Sequence, residues 1–356
     1  VRVASEADAR MVKRASITPH FSPRSFFEAN RGNPVDLQVL ELLNHRAFQF
    51  NSRRRFRESP VWRERISAAC KDQRPVEIVV PVFCVVANPV KRLQSTVATA
   101  AEDVSLLHLG NLANLVSEVY APGAVFHVVT DSTFYSMPFQ VTSVEAQRYV
   151  SLLRARVAAL ELSASVRIHD MSDVLAEHGS AFYRRFEGRR QEFLNNAFAD
   201  GISLDSYEGW LSSMKASMNT RDLSLSYDKL RDTFGAEGGS LSGALDERAR
   251  NALAEYRALK AAAADLQWEE RAFPGAIRAT IHSKNIPVLG LRIYPEYKFR
   301  STLLPYHGIG AISSSEETGR CVLKIEPEMF LCGDPEYTRV IDSQGKTLFY
   351  HRSSDQ

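Results

Sequence analysis

In the stretch AIRATIH (276–282), strand alternation puts Arg278, Thr280 and His282 on one face and Ile277, Ala279 and Ile281 on the other. VLGLRIYP (288–295) repeats the pattern, with Gly290, Arg292 and Tyr294 on one side and Leu289, Leu291 and Ile293 on the other. The connection SKNIP is short enough for the two strands to pair antiparallel as a hairpin, which gathers Arg278, His282, Arg292 and Tyr294 on one face. Lys298, Arg300 and His307 follow directly. No acid joins this face before Glu296, so it is either the solvated outer face of an antiparallel sheet or an anion site. Guanidinium forks bind phosphate or carboxylate bidentately, and an imidazole moves protons near neutral pH. His307, between a Pro-Tyr turn and the apolar run of LLPYHGIGAI (303–312), either packs in a turn or completes such a pocket.

The first half offers an acid. Asp131 ends the apolar run AVFHVVTD (124–131), where it caps the next turn, holds an amine or acts as a base. Asp170, ending SVRIHD (165–170), reads as a helix N-cap in HDMSDV. GAEGGSLSG lacks the strand-turn-helix context of a phosphate-binding loop, and NSRRRFRES reads as a solvated basic run.

These residues need a scaffold, and the hydrophobic periodicity supplies one. PVEIVVPVFCVV (75–86), AVFHVVTD and SVRIHD are runs expected of strands covered on both faces, and they alternate with helical stretches at 102–119 and 144–162. That rhythm predicts parallel βαβ units and an α/β fold with a doubly wound, Rossmann-like sheet in the first half. The carboxyl edge of such a sheet is where ligands bind, which brings Asp131 forward. VDLQVLELLNHRAF and SPVWRERISAACKD read as helices before the sheet. From Leu245 to Arg271 the pattern is an alanine-rich helix, and strands are expected at 276–282, 288–294, 308–313, 320–325, 337–342 and 346–351. The expected organisation is a helical lead-in at 1–72, the α/β domain at 73–200, an irregular, partly helical connection at 201–245 and a smaller α+β unit at 246–356.

Composition sets the bounds. The 356 residues carry 44 Lys and Arg against 42 Asp and Glu, so no global field argues for nucleic acid. Cys70, Cys84, Cys321 and Cys332 are dispersed, with no His/Cys cluster at zinc-ligand spacing, and read as reduced thiols of a cytoplasmic protein without a metal. The opening VRVASEADARMVKR has no apolar core of a secretory leader and reads as a processed terminus, and no run is long enough to span a membrane.

Taken together, the segments resemble a known family. FPGAIRATIH followed by LLPYHGIGAI resembles the paired signatures of the isocyanide (isonitrile) synthases, within the pyoverdine/dityrosine biosynthesis family. VEIVVPVFCVVANPVKRL, EDVSLLHLGNLANLVSEVYAPG, VVTDSTFYS and VIDSQGKTLFYHR resemble further family segments in the same order, together covering roughly 75–170 and 270–351. The chain departs from the family pattern at three points: its first loop, FCVVAN, is apolar where the family has a lysine, Ser132 stands for a glycine, and Tyr306 for a tryptophan.

The resemblance implies condensation of an amino-acid amine with ribulose 5-phosphate, without a redox cofactor, to leave an isonitrile. A tailoring oxygenase would follow in the pathway. It assigns His307, His282 and Asp131 to proton transfer, and Arg278, Arg292, Tyr294, Lys298, Asn88 and Lys91 to substrate binding. The apolar first loop predicts a neutral amino-acid side chain. The alternatives are an enzyme stopping at an imine or N-formyl product and a non-catalytic member that binds a small anion.

Overall fold

The computed structural model describes residues 1–18, 21–49, 60–85, 91–93, 97–215, 217–218, 241–281, 289–295, 304–315 and 320–353. Its strands, in chain order, are β1 (Arg2–Val3), β2 (Val76–Pro81), β3 (Ala124–Thr130), β4 (Val166–Asp170), β5 (Ile277–Thr280), β6 (Leu289–Gly290), β7 (Ile309–Ser314), β8 (Cys321–Glu326), β9 (Thr338–Ile341) and β10 (Thr347–Ser353). They form two five-stranded sheets, ordered β4-β3-β2-β5-β6 and β1-β9-β10-β7-β8.

Every pairing in the first sheet is parallel. The three apolar runs of the first half become β2, β3 and β4, and β3 is buried at every residue, as a strand covered on both faces must be. β2 stops at Pro81, short of the run's apparent end at 86, because the backbone turns left-handed at Phe83 (φ 67°). That conformation is unusual for a bulky side chain.

The expected hairpin does not form. β5 inserts beside β2, with Ile78 opposite Ile277 and Val79 opposite Arg278, and β6 joins β5 in parallel. Two residues of β6 suffice before the chain leaves the sheet. Leu291 bridges Gln49, and the Arg292 N–H donates to the Phe48 carbonyl at 2.7 Å. Backbone groups of the lead-in therefore replace the sheet partner that a longer strand would need. β5 and β6 thus share a sheet with strands of the first half.

The second sheet is mixed, with β9 and β10 antiparallel, β10 and β7 parallel, and β7 and β8 antiparallel. The helix Ala100–Val119 touches both sheets and buries most of its length between them. It starts with a capping box, in which the Thr99 hydroxyl and N–H both donate to Glu102.

The helix Leu241–Asp265 packs along the helix Gly179–Asn195, with Ala252, Ala254, Ala258 and Ala262 buried. A further helix spans Leu204–Lys215, and residues 219–240 of the expected irregular connection lie outside the described residues. Among the described residues no helix is long and apolar enough to cross a membrane, and all four cysteines are free thiols.

Candidate active site

Going out from β2, the chain passes to β3 and β4 on one side, whereas β5 and β6 lie on the other. The order reverses between β2 and β5, and a crevice outside the carboxyl ends of the strands is expected there. A cavity of about 1080 Å³ occupies this place. Its floor is built from Val79 and Pro81 of β2, Asp131 after β3, Met171 after β4, and Arg278 and Thr280 of β5. Its roof is one face of the helix Leu241–Asp265, where Leu253, Tyr256, Lys260, Ala263 and Ala264 recur at helical spacing. Trp210 and Met214 close one side, and Tyr306 and His307 another.

Asp131 sits at the end of a fully buried strand, and burial raises its carboxyl to about 6. The positive charge of Lys260, its own backbone N–H and the Cys84 thiol all work against that rise. Cys84 is itself pushed well above the usual thiol range, first by burial and then by Asp131, which leaves it protonated.

The loop carrying Cys84 is fixed from below. Ser132 Oγ donates to the Phe83 carbonyl and accepts from the Val85 N–H, each at 3.0 Å. A hydroxyl at this position satisfies two backbone groups of the turn that the positive φ of Phe83 creates.

His307 ends a single 3-10 turn, Pro305–His307, and its N–H donates to the Leu304 carbonyl at 2.8 Å. Its ring meets Tyr306 edge-on at 4.6 Å, and Tyr306 in turn meets the Phe83 ring at 6.1 Å. The next residue has to be glycine. A Cβ on Gly308 would lie 2.5 Å from the Glu326 carbonyl oxygen, so β7 approaches β8 too closely for a side chain there.

Elsewhere on the lining, Arg278 and Arg65 face the short helix Trp268–Ala272. Arg278 pairs with Glu269 at 3.0 Å, and Arg65 pairs with Glu270 at 2.7 Å while also donating to the Ala276 carbonyl. Burial pushes the Glu269 carboxyl up, and Arg278 opposes it.

Asp131, Arg278 and His307, expected from the sequence, therefore meet at one cavity. Arg292 and Tyr294 do not line it, because they leave the sheet with the end of β6. Arg292 Nε reaches the carbonyls of Arg46 and Gln49 at 3.2 and 3.3 Å, and Tyr294 is fully buried. Lys91 is half-buried outside the described lining, and burial lowers its amine to about 8. His282, Lys298, Arg300 and Asn88 lie outside the described residues. Asp170 is the N-cap expected of it, accepting from Ser172 N–H at 3.1 Å.

Sequence reading missed Lys260, Tyr256 and Trp210. The available signal was the Tyr256–Lys260 spacing of four on a helix whose other inward residues are mostly alanine.

The family model described as "Pyoverdine/dityrosine biosynthesis protein" matches residues 66–324. An L-tyrosine isonitrile synthase of Pseudomonas aeruginosa is 28% identical over 254 residues, 69% of this chain and 72% of that protein. Isocyanide synthase A of Aspergillus fumigatus is 21% identical over 78% of this chain, and the L-tryptophan isonitrile synthase AmbI2 of Fischerella ambigua is 23% identical over 32% of it. Those two matches span only 43% and 34% of the relatives' own lengths, respectively. The crystal structure of the PvcA protein of Pseudomonas aeruginosa superposes with a TM-score of 0.66 at 21% identity, covering 90% of this chain and 100% of that one, a likeness of fold. With a match across more than half of its length, the chain belongs to the pyoverdine/dityrosine biosynthesis family.

Proposed function

We propose that the protein is an isocyanide synthase, converting the α-amine of a neutral amino acid to an isonitrile with ribulose 5-phosphate as the carbon donor. The observation that carries this reading is the joining of Asp131, His307 and Arg278 at one cavity on the switch point of the parallel sheet. Three named relatives are isonitrile or isocyanide synthases, which supports the same reaction class.

The reaction asks for proton movement at several atoms. The amine nitrogen adds to the C2 carbonyl and water leaves, giving a carbon–nitrogen double bond. Phosphate is then eliminated and both carbon–carbon bonds of C2 break, C1 leaving as formaldehyde and C3 to C5 as a three-carbon hydroxycarbonyl fragment, so that C2 alone stays on nitrogen without any net oxidation or reduction. A carboxylate titrating at about 6 suits the acceptance of protons from the substrate ammonium and from carbon near neutral pH. His307, which packs on Tyr306 at the cavity, is assigned the return of a proton to the departing oxygen. Arg278 is the guanidinium for the phosphate, exchanging Glu269 for it. The lining contributed by Trp62, Phe134, Tyr135, Phe139 and Met171 is apolar or aromatic, which suits a neutral side chain.

The test is incubation with ribulose 5-phosphate and a panel of amino acids, reading the infrared isonitrile stretch and trapping with a tetrazine. An isonitrile from a neutral amino acid is expected. No product with any amino acid, or a preference for aspartate or glutamate, would overturn the proposal. An imine or N-formyl product by mass spectrometry would replace it with the truncated reaction.

A further inference from the structure

We propose that Lys260 binds the amino-acid carboxylate and that Lys260 and Asp131 together form the site for the zwitterionic head group. This rests on the amino-acid substrate proposed above and adds the residue that selects it.

The cations among the described lining residues are Arg65, Lys260 and Arg278. The two arginines each stand beside a glutamate of the helix Trp268–Ala272. Lys260 has a different neighbourhood, on the helix Leu241–Asp265. Its Nζ lies 5.3 Å from the Tyr256 ring centroid and 5.7 Å from that of Trp210, both within cation–π range. Two aromatic faces flank the amine at the cavity wall. The charge is felt at Asp131, where it opposes the effect of burial.

An acid and a cation on the lining of one cavity, close enough for the charge of one to be felt at the other, are complementary to an ammonium and a carboxylate on adjacent atoms. Asp131 faces the amine that must react, and Lys260 faces the carboxylate that must be kept still. The phosphate is left to the two arginines, whose bidentate forks suit it better than a point charge. The helix helps, because Ala263 and Ala264 follow Lys260 on the cavity face and leave room beneath it. The apolar first loop has no lysine to offer, and Lys91, the lysine near it in sequence, lies outside the described lining.

The test uses L-tryptophan and L-phenylalanine, their α-amides and ribulose 5-phosphate as calorimetric probes on the full chain, alongside turnover. The wild type is expected to bind the acids about ten- to a hundredfold more tightly than the amides, the scale of one charge-assisted hydrogen bond. Lys260→Met should reduce that ratio to within about threefold, Lys260→Arg should keep most of it, and ribulose 5-phosphate affinity should stay unchanged in both. An unchanged acid-to-amide ratio in Lys260→Met would overturn the proposal, as would a loss confined to ribulose 5-phosphate. So would failure of the wild type to bind either amino acid. A wild type that binds the acids with the Lys260-dependent ratio but makes no isonitrile would sink the proposed reaction and leave this subsite standing.

Discussion

Two charged groups, one bonded to the residue after His307 and the other at the cavity that His307 lines, are built on opposite plans. Arg92 has every donating nitrogen engaged: Nε with the Gly308 carbonyl at 2.7 Å, Nη1 with that of Val97 at 3.0 Å, and Nη2 with Glu102 at 2.6 Å. Glu102 also accepts from Tyr149 OH at 2.8 Å and from both donors of Thr99. Burial and the neighbouring Glu102 push the Tyr149 phenol up, and Glu102 pushes the Arg92 guanidinium up against burial, so both move away from neutral pH. Asp131 is only half-buried, at the cavity wall, yet the groups around its carboxyl do not make up for lost water, and it titrates at about 6. Burial with full satisfaction gives a fixed joint, and burial without it gives a group poised to exchange protons. The joint serves the poised group as well, since Arg92 clamps the residue after His307.

The strongest way to probe this contrast is Arg92→Met. Removing one partner leaves Glu102 charged and unpaired in the core, and the expected cost is about 3–5 kcal/mol in urea or thermal unfolding. Adding Glu102→Gln should recover part of it, because the stranded charge goes too. A loss under about 1 kcal/mol for the single variant would show that the two groups differ less than their hydrogen bonds imply.

Asp131→Asn should behave in the reverse manner. Turnover is expected to fall by about 10²- to 10⁴-fold, and the rise of wild-type kcat/KM through about pH 6 should disappear. The folded-state value lies above that of an unfolded aspartate, so the native protein holds more protons between roughly pH 4 and 6. Its contribution to stability is therefore present at low pH and is lost as pH rises through about 6. At pH 7 the Asn variant should melt no lower than the wild type. A variant that melts several degrees lower would move Asp131 into the class of Arg92.

The two groups also differ in how well the sequence announces them. Asp131 ends an apolar run, and the rule for carboxyl edges of parallel sheets makes it stand out. Arg278 follows from period-two alternation and survives a mistaken pairing, since the face of a strand does not depend on its partner's direction. The direction itself was not legible. A connection of that length fits a hairpin, and what contradicts it is the parallel register of β6 on β5, with Ala279 opposite Leu289 and Thr280 opposite Gly290. Arg292 fails as well, its partners being carbonyls far back in the lead-in. Arg92 carries no local pattern, and the Thr99-x-x-Glu102 spacing announces a capping box but not an ion pair, because an arginine in a loop and a glutamate in a first helical turn are ordinary surface residues until the fold buries them. Lys260 was hidden by its alanines, which make the helix conspicuous and the single cation on its face easy to pass over.

The smallest expected effect is also the one that joins the two groups. His307 reaches the cavity, but Gly308 beside it is held by Arg92 and by the backbone of β8, so the histidine could be a proton carrier or a by-product of that joint. His307→Asn separates these roles, because Asn keeps a polar side chain near the size of the ring while losing the proton chemistry. If His307 is part of the joint, the variant should lose about 1–2 kcal/mol of stability and keep its turnover once folded. If it works with Asp131, melting should barely move and turnover should fall by about 10²-fold. The second result is the expected one. The backbone contacts that fix this turn, Leu304 O to the His307 N–H and Gly308 O to Arg92, do not involve the imidazole, so replacing the ring leaves those two contacts in place and removes the imidazole that packs on Tyr306 at the cavity.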